Sequence, residues 1–415
     1  MANKLLLLAT WVSTVAAAKI WYTSYGSSNP AKAGLSYLDF NGKTITEGPT
    51  NTECGGTPSW LDIEAGNLAK PLLYCVNEGW SDAPGLHTFS IDGNKLTKIS
   101  SGSSLTGPVS TEFYGEKPAV AMAHYGGAGW STFLRSPEGK LTPLQNETFP
   151  GKGPRTEQEK SHPHQAILDP TGKFLLFPDL GLDLTHVYAI NSDSTLRKLD
   201  SIKAPSASGP RHGVFWIPSA PAGGPKGSKG KGGKGGDGCN DGPEKTFFFL
   251  LHELSNHITS YSVNYANDKI SFTEVTQVSP QVLFNNSPRM NLTSAHAAEI
   301  IVSPDNKFVV ASLRLSPIHS ISQFDSTNKT EIPSDSIVTL QPKDDGKLDF
   351  KFNTPSGGTH PRHFTISPDG KFLVVANQDN GFVTIWNRDP KNGAIKDRVA
   401  QKSDLGAVNY VLWTQ

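Results

Sequence analysis

The sequence is poor in several things, and each absence removes a class of protein. Three cysteines in 415 residues allow one internal disulfide at most, so this is not a cysteine-stapled scaffold. Lysine plus arginine equals aspartate plus glutamate at 38 each. That balance supplies no broad cationic field for nucleic acid or an anionic membrane surface, and a bound small molecule is the better expectation. No long segment carries the 3.6-residue period of an amphipathic helix. Beyond the N-terminus no apolar run reaches the ~20 residues a membrane span needs. There is no G-x-S-x-G elbow for a serine triad, and no H-x-x-x-H or C-x-x-C pairing for a metal. Neither a metal nor a cofactor is expected.

What is present starts with "MANKLLLLATWVSTVAAAK". One lysine, an apolar run from Leu5 to about Val15 and small residues at A-x-A spacing predict a secretory signal over 1–18. A mature chain of 19–415 outside the cell fits four N-x-S/T acceptors, at Asn146, Asn285, Asn291 and Asn328. Cys54 and Cys75 are the nearest plausible disulfide pair. Cys239 is left as a free thiol or an intermolecular link, because it lies in "SAPAGGPKGSKGKGGKGGDGCNDGPEK" (219–245). That tract has almost no apolar residue and reads as a disordered basic loop between two strands, able to touch cell-wall polymers or acidic surfaces.

The rest of the chain repeats itself. "DPTGKFLLFPDLG" (169–181), "SPDNKFVVASLRL" (303–315) and "SPDGKFLVVANQD" (367–379) superimpose, each a turn, an apolar run and a further turn. Weaker copies begin at Lys70, Lys117 and Lys245, and Lys19–Gly26 opens another unit. About seven four-stranded units at the ~40–50-residue spacing of propeller blades predict an all-β, seven-bladed β-propeller as a single domain. "NYVLW" (409–413) should pair into the blade begun by 19–26 and close the ring. A two-domain β-sandwich is the rival, but it would not repeat the "PDGKF" turn at one place in each unit.

Antiparallel pairing brings the start of each unit's first strand beside the end of its second. Alignment on the turns puts His164, Arg211 and Arg362 at the first of these places. It puts Glu78, Tyr125, Glu253, Arg314 and Gln378 at the second. Arg211 should therefore lie near Glu253, His164 near Asp179, and Arg362 near Gln378, all at one mouth of a central channel. Taken singly, each has a plainer role: Arg211–Glu253 as a buried ion pair, Asp179 as a turn tie, His162 as an orienting residue, and Glu299 as structural. Their convergence points to a site for something anionic.

In "HPHQAILDPTGKFLLFPDLGLD", "GPRHGVFWIP", "LLHELSN", "AAEIIVSPDNKFVVASLR" and "HPRHFTISPDGKFLVVANQ", the sequence resembles the lactonase family of seven-bladed propellers. That family includes 6-phosphogluconolactonases and carboxy-cis,cis-muconate cyclases. The resemblance implies acid/base work for His164 and Glu253 and carboxylate binding by Arg211 and Arg314, with Arg362 beside them and no metal. Where the family has "SNRG" this chain has "SLRLSP" (312–317), without the glycine after the arginine. The expectation is a secreted enzyme interconverting a carboxylate-bearing lactone, or a dicarboxylate, with its open or closed partner. Its rivals are a non-catalytic secreted glycoprotein, such as a surface antigen or adhesin, and a 6-phosphogluconolactonase.

Overall fold

The run "TFFFLLH" shows how the fold is specified. In the strand Thr246–His252 every residue is buried, yet successive side chains of a strand point to opposite faces. Phe248 and Leu250 enter one apolar cluster with Leu176 and Val187. Phe247, Phe249 and Leu251 enter another with Ala311 and Leu313. A sheet covered on both faces needs such unbroken apolar strands. The same division holds around the molecule, where seven clusters each fill the space between two neighbouring sheets. Each fully buried large side chain in them is worth about 1.5–3 kcal/mol.

The computed structural model describes residues 18–414, except 27–28, 66–69, 81, 222–242, 244 and 267. The sheets form seven blades, numbered here in chain order. Blade 1 combines Ala18–Ser24, Gly34–Phe40 and Ile45–Glu47 with the C-terminal strand Val408–Trp413. This strand pairs antiparallel with the first, Ile20 opposite Trp413 and Thr23 opposite Tyr410, and so closes the ring as expected. Blades 2 to 7 start at inner strands Pro58–Glu64, Pro108–Tyr114, Ile167–Leu168, Pro210–Trp216, His296–Val302 and Pro361–Ile366, and run outward in chain order. Blade 6 also carries a hairpin, His319–Ser322 with Glu331–Ser334.

Cys54 and Cys75 are joined in a disulfide, which ties the entry to blade 2 onto that blade's second strand. The signal assigned to 1–18 lies outside the described residues except for Ala18, and so do Cys239 and nearly all of the 219–245 insert. The insert connects Trp216 to Thr246, the ends of two paired strands farthest from His252. Among the described residues no helix is long and apolar enough to cross a membrane.

Candidate active site

Strict alternation would let only every second residue of an inner strand face the channel. The inner strands break that rule at one shared place. Pairing slips between Pro58 and Trp60, Pro108 and Ser110, Pro210 and His212, Ala297 and Ile300, Pro361 and His363, and opposite Thr23 and Ser24 for the closing strand. A β-bulge turns two consecutive side chains toward the same side. Adjacent pairs accordingly line one cavity: Ser59 with Trp60, Arg211 with His212, Arg362 with His363, and Asn409 with Tyr410, together with Val109, His164 and Glu299.

Above this ring stand residues from the ends of the second strands, and the two rings are cross-linked. Arg211 Nε lies 2.6 Å from Glu253 Oε2, and its Nη1 donates to the Ala298 carbonyl. Arg314 Nη2 lies 3.1 Å from the same Glu253 oxygen. Its remaining donors go to the carbonyls of His296 and Ala297 and to His360 Nε2. Glu253 Oε1 meets His296 Nδ1 at 3.0 Å. Arg362 is the least committed of the three arginines. Its Nη2 is 3.6 Å from Glu78 Oε1 and its side chain is 20% exposed, against 2% for Arg211 and 6% for Arg314. Glu78 also accepts from Tyr25 Oη at 2.5 Å and from the indole of Trp80, which is 54% exposed at the rim.

His164 lines the cavity with its Nδ1 3.1 Å from His212 Nε2 and its ring edge-on to Tyr125. Its Nε2 has no hydrogen-bond partner among the described residues. His212 Nδ1 lies 3.1 Å from both oxygens of Glu299, and His363 Nε2 is 3.4 Å from Glu299 Oε2.

Burial sets the protonation states. His164 is held well below the usual imidazole range by desolvation, with Arg211 and His212 adding to the effect. It is a neutral ring at pH 7, able to take a proton but not to give one. Burial raises Glu253, but Arg314, the His296 hydrogen bond and Arg211 outweigh it, and its carboxyl ends well below the normal range. Glu299 behaves alike: burial pulls up, His212 and His363 pull down, and it settles at about 2. Arg211 falls to about 9 through burial and the neighbouring Arg314.

The five residues singled out by sequence, His164, Glu253, Arg211, Arg314 and Arg362, thus share one channel mouth, and Arg211 meets Glu253 as expected. The other two expected neighbours meet at the backbone, but the side chains take other partners. His164 is next to Asp179 through the backbone only, its N–H bonded to the Pro178 carbonyl. The Asp179 carboxylate instead accepts from Ser161, His186 and the N–H groups of His162, Gly181 and Leu182. The Arg362 side chain reaches Glu78 of blade 2. The missing glycine after Arg314 does not redirect it, because Leu315 itself adopts φ +61° with its N–H held by Asp335 Oδ2. Sequence reasoning passed over His212, His363, His296 and His360, and treated Glu299 as structural. The repeated "PRH" at 210–212 and 361–363 was the available signal. Among the described residues no group of three or more histidine, cysteine or acidic side chains is arranged so that it could hold a metal ion.

The comparisons with known proteins agree with this fold. A family model described as "Lactonase, 7-bladed beta-propeller" matches residues 19–413. A protein of Arthroderma benhamiae named "Probable 6-phosphogluconolactonase" is 31% identical, covering 87% of this chain and 81% of its own length. A 6-phosphogluconolactonase of Formosa agariphila is 29% identical, covering 78% and 80%. Among solved structures, a periplasmic gluconolactonase of Pseudomonas aeruginosa aligns with TM-score 0.75 over 96% of this chain and 99% of its own at 19% identity, a likeness of fold.

Proposed function

Because the chain belongs to the lactonase family of seven-bladed β-propellers, we propose that it is a lactone hydrolase acting on a small sugar lactone in the central channel. The observation that carries this reading is a neutral, buried His164 with one free ring nitrogen in the same cavity as Arg362. In the proposed reaction His164 Nε2 takes a proton from water as the water oxygen bonds to the lactone carbonyl carbon. Arg362 stabilises the negative charge on the carbonyl oxygen. When the tetrahedral centre collapses, the ring C–O bond breaks and the His164 imidazolium returns its proton to the departing ring oxygen. The products are the open hydroxy acid and an unchanged enzyme.

Glu253 serves here as the anchor that keeps Arg211 and Arg314 in place, since both of its oxygens are engaged, by the two arginines and by His296. Three arginines face three glutamates in the channel; Arg211 and Arg314 converge on Glu253, whereas Arg362 is the most exposed of the three. Anionic substrate groups therefore fall to Arg362, and the exposed face of Trp80 is available to stack on a sugar ring. The names borne by the relatives favour hydrolysis over the muconate cyclisation that the sequence left open. Extracellular residence is part of the same proposal. It is supported by the 1–18 pattern, the Cys54–Cys75 disulfide and the exposure of Asn146, Asn285, Asn291 and Asn328; a mass loss on deglycosylation of protein from its native source would be the check.

The catalytic test is an initial-rate comparison of glucono-δ-lactone, its 6-phosphate and a carboxymuconate with purified protein. Hydrolysis of a sugar lactone above the spontaneous rate supports the proposal. Turnover of the muconate alone would replace it with the cyclase reading, and turnover of none would remove the enzymatic one.

A further inference from the structure

The three side chains Glu299, His212 and His164 form a line from the wall of the channel to its open space. Glu299 accepts from three directions: the Ile300 N–H at 3.0 Å, His212 Nδ1 at 3.1 Å and His363 Nε2 at 3.4 Å. His363 Nδ1 accepts from the Val411 N–H, so its proton belongs on Nε2, toward the carboxylate. An ionised carboxylate only accepts, and His212 must therefore carry its proton on Nδ1. His212 Nε2 is then an acceptor, and two donors address it: Arg211 Nη1 at 3.5 Å and His164 Nδ1 at 3.1 Å. That in turn puts the His164 proton on Nδ1 and leaves its Nε2 bare on the channel side.

Resting on the lactonase reading above, we infer that His212 and Glu299 are positioning residues which fix His164 in its Nδ1–H tautomer and share the positive charge when His164 takes a proton. Sequence put neither in the mechanism. The arrangement has the logic of a carboxylate orienting a catalytic histidine, extended by one imidazole. Among the described residues the groups that act most on His164 besides His212 are Tyr125, Arg211, Glu253 and Arg362, and the one acid among them, Glu253, is engaged by Arg211, Arg314 and His296.

Two measurements on the full chain decide it. Imidazole ¹⁵N NMR of histidine-labelled protein at pH 7, with His164 and His212 assigned from His164→Gln and His212→Gln, should show both rings neutral and protonated on Nδ1. A proton on His164 Nε2, or a charged His164, overturns the inference whether or not the protein is active. Kinetics on glucono-δ-lactone form the second arm. Glu299→Gln should lower kcat about 10- to 100-fold, the lower part of what general-base assistance supplies. KM should stay within about threefold, and the acid limb of the rate should move to lower pH. In a His164→Ala background the same change should cost nothing further. Equal losses in both backgrounds would make Glu299 a structural residue only. Absence of lactone turnover by the unaltered protein would count against the proposed function, and the tautomer measurement would still judge the relay.

Discussion

Two sets of polar groups stand one residue apart at the ends of the second strands, and they are put to opposite uses. The last strand residues clamp their own blades: His124 to Ser131 at 2.7 Å, Asp179 to His186 at 3.0 Å, His252 to Thr259 at 3.0 Å and Asn377 to Thr384 at 3.2 Å. The next residue in three of these blades, Tyr125, Glu253 or Gln378, stands over the channel. Both sets contain a carboxylate and an amide; the clamp residues are buried and the channel residues half-buried. The clamps find partners inside one blade and have no outlet, whereas the channel groups find theirs across blades and leave His164 Nε2 and Arg362 open. Density of buried polar residues therefore does not mark a site here; unfilled valence facing a cavity does.

That contrast predicts different consequences for mutation in the two regions. The largest effect should come from the channel: His164→Ala should lower kcat by about 10²–10⁴, the usual worth of a general base, with the unfolding midpoint in urea hardly changed. The clamp should behave in reverse. Thr384 Oγ1 donates to the Ser356 carbonyl and accepts from Asn377 and Trp386. Thr384→Val should thus cost about 1–3 kcal/mol of stability through buried groups left unpaired, and kcat per folded molecule should stay constant.

Acid should separate the regions again. Buried histidines that stay neutral in the folded chain, His124 at about 3 and His257 at about 4, mainly through desolvation, gain protons from pH 6.5 downward only on unfolding. Each then removes up to about 1.4 kcal/mol per pH unit below 6.5. Equilibrium unfolding from pH 7.5 to 5 should show stability flat above 6.5 and falling below it. The rate measured on folded enzyme should persist to lower pH, because the His164 limb lies well under 6.5. The smallest effect concerns Leu315, which bears a left-handed backbone at φ +61°. Leu315→Gly should leave stability within about 1 kcal/mol, and Leu315→Val, β-branched at the same angle, should cost about 1–2 kcal/mol, both read from urea titration.

How much of this was visible beforehand follows from the same geometry. Turn spacing sufficed for the ring, for its closure by the C-terminal strand and for one mouth shared by Glu78, Tyr125, Glu253, Arg314 and Gln378. It could not reveal the bulges. With simple alternation His212 and His363 belong on the face opposite Arg211 and Arg362 and drop out of the site; the slips after Pro210 and Pro361 return them to it. Nor does alignment within a repeat report contacts between repeats, which is why Arg362 was assigned to Gln378 of its own blade when it crosses to Glu78. Glu299 was passed over for both reasons together.

The account stands most directly on the rate at which purified protein opens glucono-δ-lactone, corrected for spontaneous hydrolysis and measured beside its His164→Ala variant at the same folded concentration. It predicts a clear enzymatic rate that falls at least about 100-fold in the variant. An undiminished rate in the variant, or no enzymatic rate on this or any other δ- or γ-lactone, would contradict it.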